Sequence, residues 1–249
     1  MSFLESRSKI ILDDGFIFGR GCFETILIKD KPIFLEEHIN RLNYSLKTLN
    51  VDNQLRIEDV ISKIKELDIR NKALKIMVSS DNVVYKVRDI GYSKKHYEDG
   101  FKIKFSKIRK NEYSTLTYVK SLNYLENIIA KEDAKKDGFD ESIFLNTNGF
   151  LAEGSVSNIF IIKDDIIYTP KVNCGILPGI IRGFLIDNIE TIGYRIIQKN
   201  LTKEELLNAD GVFLTNSLMG VMKVSEIEKT KMKESPLINE IREFYLKFL

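Results

Sequence analysis

Asn148-Gly149, set between the short apolar runs Ser142 to Leu145 and Phe150 to Ala152, is the feature that most restricts the fold. Both residues tolerate positive φ, and such a pair between apolar runs closes an antiparallel hairpin. The pattern returns with Asn158 to Ile162 and Ile166 to Tyr168 around Asp164-Asp165, and Gly211 to Leu214 forms a late strand ending at Thr215-Asn216-Ser217. The first half reads differently. Ile10 to Leu12 and Phe23 to Ile28 alternate as strands on either side of Asp13-Asp14-Gly15, with a turn at Lys29 to Pro32. From Leu35 the apolar residues Ile39, Leu42, Leu46 and Leu49 return every three or four positions, and Ile57 to Leu67 is a second amphipathic stretch, so both predict helices. Lys75 to Val78 and Phe101 to Ile108 read as strands, and this α+β half ends near the polar stretch 109–114.

Composition narrows the chemistry. A chain of 249 residues with 43% hydrophobic content can fill a sizeable core. The 38 basic and 36 acidic residues are mixed along the chain and leave a net charge of +2, which argues against nucleic acid as a ligand. Only Cys22 and Cys174 are present, so no disulfide framework is expected and the compartment is read as reducing. The opening MSFLESRSKIILDDG has scattered charges and no long apolar run, which leads to the expectation of a cytoplasmic chain with no signal peptide and no membrane span. With His38 and His96 as the only histidines, no metal site is expected. Chemistry must then fall to Lys, Glu, Thr or Tyr, or to a cofactor.

Lys120 follows Thr117-Tyr118-Val119 where a strand or loop enters a helical run through Leu125, Ile128 and Ile129, which stops at Gly138. Pro178-Gly179 opens a further helix from Ile180 toward Ile192. Taken singly, these residues have ordinary readings. A lysine at a strand end belongs to the surface, Glu153 before Gly154-Ser155 suits a polar turn, Arg41 on an amphipathic helix suits the solvent face, and Ser217 suits a cap.

Their order is more specific. Gly21-Cys22-Phe23-Glu24-Thr25, Glu37-His38-Ile39-Asn40-Arg41-Leu42, Lys120-Ser121-Leu122-Asn123-Tyr124, Glu153-Gly154-Ser155-Val156-Ser157-Asn158-Ile159-Phe160, Pro178-Gly179-Ile180-Ile181-Arg182 and Thr215-Asn216-Ser217 together resemble the class IV aminotransferases. These are the fold-type IV enzymes of pyridoxal 5′-phosphate (PLP), and they include branched-chain aminotransferases, D-amino-acid aminotransferases and aminodeoxychorismate lyases. The resemblance implies an α+β architecture with a small N-terminal domain over 1–109, a linker over 110–118, a larger PLP-binding domain over 119–249, the cofactor between the domains, and a homodimer acting on a small-molecule amino substrate.

It also implies roles. Lys120 is the Schiff-base lysine and later the proton carrier, which requires its amine to be largely uncharged. Glu153 meets the pyridine nitrogen. Arg41 pairs with the phosphate, for which a planar guanidinium fork is suited. The backbone N–H groups of Ile180 and Ile181, at a helix N-terminus, cradle the same phosphate, with Ser217 and the amide of Leu218 on a second turn.

For the reaction, the Arg-x-His pair by which D-amino-acid aminotransferases bind the substrate carboxylate is missing from Ser80 to Arg88. Thr25 stands where branched-chain enzymes usually carry glycine and where aminodeoxychorismate lyases carry threonine. The expectation is therefore conversion of 4-amino-4-deoxychorismate to 4-aminobenzoate and pyruvate, with Thr25 protonating the departing enol and Arg88, in a loop over 80–92, binding a substrate carboxylate. A class IV aminotransferase acting on branched-chain or D-amino acids is the alternative within the family. A non-catalytic binding protein on the same fold is the alternative outside it.

Overall fold

The computed structural model describes residues 9–249; residues 1–8, within the stretch read as carrying no leader, lie outside that range. Contacts group the chain into two units, one reaching Asp89 and including Val119–Asn123, the other formed by Ile90–Tyr118 and Tyr124–Leu249. The partition departs from the boundaries expected at 109 and 119. Strand β4 (Phe101–Lys110) is hydrogen-bonded into the sheet of the second unit, and the segment carrying Lys120 pairs with a strand of the first.

The first unit contains α1 (Asp14–Phe18), β1 (Gly21–Ile28), α2 (Leu35–Thr48), α3 (Ile57–Glu66), β2 (Lys72–Ser79) and β3 (Val83–Arg88). Its antiparallel sheet runs β1-β2-β3. Alternation along the strands separates its faces. Cys22, Ile26 and Ile28 of β1 and Leu74, Ile76 and Val78 of β2 form one core with Leu35, Ile39, Leu42 and Leu46 of α2 and Val60 of α3. Phe23, Thr25 and Lys75 therefore project from the other face, and the register Thr25↔Lys75↔Lys86 brings Lys86 and Arg88 to that face as well.

Two local expectations fail here. Ile10 to Leu12 is not a strand; the main-chain N–H and C=O of Ile11 bond instead to the side-chain amide of Asn82. Asp13 then caps α1 by accepting the N–H groups of Gly15 and Phe16. The loop expected over 80–92 contains β3 (Val83–Arg88), whose Val and Tyr residues complete the ladder against β2.

The second unit contains α4 (Lys94–Asp99), β4, α5 (Leu125–Lys136), β5 (Glu141–Asn146), β6 (Leu151–Gly154), β7 (Asn158–Lys163), β8 (Ile166–Pro170), α6 (Ile180–Asn188), β9 (Ile196–Lys199), α7 (Lys203–Leu207), β10 (Gly211–Asn216), β11 (Gly220–Ile227), β12 (Thr230–Lys231) and α8 (Pro236–Leu246). The sheet order is β6-β5-β4-β11-β10-β7-β8-β9, with β12 paired to β11. Ile103, Ile143, Leu151, Ile159, Val212, Leu214 and Met222 fill its core.

Both expected hairpins form, by different turns. Asp164 and Asp165 take φ of 50° and 59°, the left-handed pair that suits the twist of β7 and β8. At Asn148-Gly149 only the glycine is left-handed. There Asn146 Oδ1 accepts the N–H of Asn148 and of Phe150, and Glu112 accepts the Thr147 N–H, so side chains replace the backbone conformation that the dipeptide signal implies.

Candidate active site

In the first unit the site begins with how Lys120 is held. The extended segment 119–123 lies antiparallel along the outer edge of β1: Phe23 N–H donates to the Lys120 carbonyl at 2.8 Å, and Leu122 N–H donates to the Gly21 carbonyl at 2.9 Å. This pairing sets Lys120 opposite Phe23. Its Nζ stands 4.6 Å from the centre of the Phe23 ring, and Lys75 Nζ stands 4.2 Å from the same centre. Thr25, directly across from Lys75, is on the same face two residues further along β1. Burial, reinforced by the charges of Arg88 and Lys86, holds the Lys75 ammonium below the usual lysine range. Arg88 shares this face but is exposed, with its guanidinium donating to the Asp89 carbonyl at 3.1 Å.

Behind the sheet, Glu24 is fully buried and accepts Arg41 Nε at 2.7 Å, Arg41 Nη2 at 2.8 Å and an interaction with His38 Nδ1 at 2.7 Å. Burial pushes the Glu24 carboxyl up, but the charges and hydrogen bonds of Arg41 and His38 outweigh it and hold the group far below the usual carboxylate range. The Arg41 fork is thereby fixed in orientation.

In the second unit, Glu153 is the penultimate residue of β6 and is 6% exposed. One carboxylate oxygen accepts the Leu177 N–H at 2.9 Å and the Asn158 amide at 3.4 Å, and the other lies 3.6 Å from Lys110 Nζ. Helix α6 begins at Ile180 after Gly179, with no side-chain cap, so its first N–H groups point outward from the helix start. A side chain at Gly179 would meet Asn158 Oδ1 at 1.9 Å, which explains the glycine. Arg182 in the same turn is buried and donates to the Pro170 carbonyl and to Gln198; burial brings its guanidinium down to about 10, against the opposing pull of Glu153. In the β10–β11 turn, Ser217 is half-buried, and the Leu218 N–H donates to Asn216 Oδ1 at 3.0 Å.

Residues 21–227 match the family model Amino-transferase class IV. The chain belongs to that family. An aminodeoxychorismate lyase of Bacillus subtilis (strain 168) is 32% identical over 254 aligned residues, covering 91% of this chain and 85% of its own. A D-alanine aminotransferase of Bacillus licheniformis is 33% identical over 88% of this chain and 82% of its own. A structure from Legionella pneumophila, provisionally named a 4-amino-4-deoxychorismate lyase, superposes with a TM-score of 0.90 at 27% identity, covering 98% of this chain and 97% of that one. The chain therefore has the fold-type IV architecture and is an enzyme of a PLP-dependent family.

Each unit, taken by itself, carries donors of a kind that suits that cofactor. The first unit supplies an amine on a braced strand edge and a guanidinium locked by a buried acid; the second supplies a buried carboxylate and a glycine-started helix whose first N–H groups carry no side-chain cap. Sequence reading missed Glu24, His38, Lys75 and Lys110. An acid in the middle of the apolar run of β1 and a lysine inside the apolar run of β2 were the available signals. Neither reveals its partner.

Proposed function

We propose that this enzyme converts 4-amino-4-deoxychorismate to 4-aminobenzoate and pyruvate in the cytoplasm, as a step toward folate, with PLP carried on Lys120. The observation that supports the reading is a shared sheet face: Thr25 pairs with Lys75, and the amines of Lys75 and Lys120 both lie over the ring of Phe23, two residues before Thr25 on β1. When bound, the cofactor supplies an electron sink for the carbon next to the substrate nitrogen. Glu153 would hold the pyridine nitrogen, while Arg41, Ser217 and the N–H groups of Ile180 and Ile181 would hold the phosphate; the Leu218 N–H, expected beside them, is instead engaged by Asn216 Oδ1 and would join them only by leaving it. The Lys120 amine, when free, would take the proton from the carbon bearing nitrogen. The ether C–O bond would then break as the ring becomes aromatic, and Thr25 would deliver its hydroxyl proton to the methylene carbon of the departing enol and recover one from the Lys120 ammonium, giving pyruvate and restoring both groups. Lys75 and Arg88 offer cations on the same face for the two substrate carboxylates.

A homodimer is part of the proposal. Phe16 and Phe18 of α1 are 74% and 68% exposed beside exposed Ile17, an apolar surface that a second copy would cover.

Purified enzyme given aminodeoxychorismate should release pyruvate and 4-aminobenzoate in equal amounts. Amine transfer from amino acids to 2-oxoglutarate with no pyruvate from aminodeoxychorismate would assign an aminotransferase instead. The absence of visible cofactor absorbance together with both activities would leave a binding protein on this fold.

A further inference from the structure

Lys110 closes β4 inside the second unit, where its side chain is 9% exposed and that of Glu153 is 8% exposed. Lysines are seldom buried so far without a compensating charge. Three contacts fix this one. Its Nζ donates to Asn127 Oδ1 at 3.0 Å, stands 4.7 Å from the centre of the Phe144 ring, and lies 3.6 Å from Glu153 Oε1. Asn127 is itself anchored, since its amide donates to the Ser155 carbonyl at 2.7 Å, in the turn that follows Glu153. The strut thus ties the ammonium to the same loop that ends the glutamate strand.

We propose that Lys110 is a positioning residue that keeps Glu153 ionised, so that a proton shared between this acid and a ring nitrogen rests on the nitrogen. The proposal rests on the reading of Glu153 as the partner of the pyridine nitrogen. A cation within 4 Å favours the charged form of a buried carboxylate, and Arg182, on α6, adds a second positive charge that Glu153 feels. With Lys110 neutralised, Arg182 remains, the carboxylate gains proton affinity, and the shared proton moves toward the acid. A purely space-filling role for Lys110 predicts no such movement.

The test uses Lys110→Met, Lys110→Gln and Lys110→Arg, each loaded with PLP labelled with ¹⁵N in the ring. Gln keeps a donor for Asn127 without the charge and serves where Met fails to fold. The ring nitrogen of the parent enzyme and of Lys110→Arg is expected to give a pyridinium chemical shift at neutral pH. Lys110→Met or Lys110→Gln should move it toward the neutral pyridine value, with the pH of titration displaced by about 1 to 3 pH units. An unchanged shift in a folded neutral variant overturns the proposal. The apoproteins give an independent readout: an infrared band of a protonated carboxyl, abolished by Glu153→Gln, should appear at higher pH in the neutral variants than in the parent. A parent enzyme that binds no PLP while this band still moves would sink the reading of the ring partner and keep the Lys110–Glu153 coupling. A band that does not move overturns the coupling itself.

Discussion

The two faces of the β1-β2-β3 sheet come from the same strands in the same register, yet they do opposite work. The helix-covered face buries apolar side chains and one acid, Glu24, and that acid is closed off by Arg41 and His38. The other face presents Phe23, Thr25, Lys75, Lys86 and Arg88, and Lys120 joins it by pairing along the edge of β1. Residue parity therefore divides stability from chemistry, and substitutions one position apart should have different kinds of effect.

The largest effect is expected at Lys120. Lys120→Ala should lower turnover by up to about 10⁴-fold, the upper range for a residue that transfers the proton, with little change in Tm, measured by steady-state pyruvate release and by thermal unfolding. A comparable loss of Tm would break the division between the faces.

Next is Glu24→Gln, which leaves the partly buried Arg41 without its counter-charge and should cost roughly 3 to 5 kcal/mol in denaturant unfolding. Its pH dependence has a definite sign. Because the folded-state pKa of Glu24 lies below its ordinary value of 4.5, the stabilisation is complete above that pH and is lost as pH falls toward the folded value. The gap between parent and Glu24→Gln should accordingly narrow below pH 4.5. A gap that widens on acidification would contradict the depressed pKa.

Leu74→Ala, on the same covered face and fully buried, should cost about 2 to 5 kcal/mol by leaving a cavity, while the folded fraction retains its turnover per active site. Its neighbour on the open face gives the smallest effect of the series. Thr25→Val keeps the shape and β-propensity of the side chain, and should lower lyase turnover by about 10²-fold through loss of the proton donor, with unfolding unchanged. Lyase turnover unaffected by this change would remove Thr25 from the reaction as its proton donor.

How much of this was legible depends on distance along the chain. The helical spacing of Leu35, Ile39, Leu42 and Leu46 reports which face of α2 is buried because the neighbours that bury it follow a local period. The Asp164-Asp165 hairpin is equally local. The ordered motifs singled out Lys120, Glu153 and Arg41 as candidates, since each sits in a segment with its own pattern. What the motifs did not contain was the pairing between segments. Lys110 reads as the start of a polar linker, and only contact with Phe144 and Asn127 makes it a buried cation. Glu24 was quoted within a motif without a role, because its partners arrive from α2, fourteen or more positions away. The edge pairing of 119–123 with β1 joins residues about a hundred positions apart, which no local pattern encodes.

The central claim, that Lys120 is the amine carrying the cofactor, is tested most directly by borohydride reduction of the purified enzyme followed by digestion and mass spectrometry. The account predicts bleaching of the visible absorbance and a phosphopyridoxyl mass on the peptide containing Lys120. A label on a different lysine, or reduction that leaves the Lys120 peptide unmodified, would contradict it.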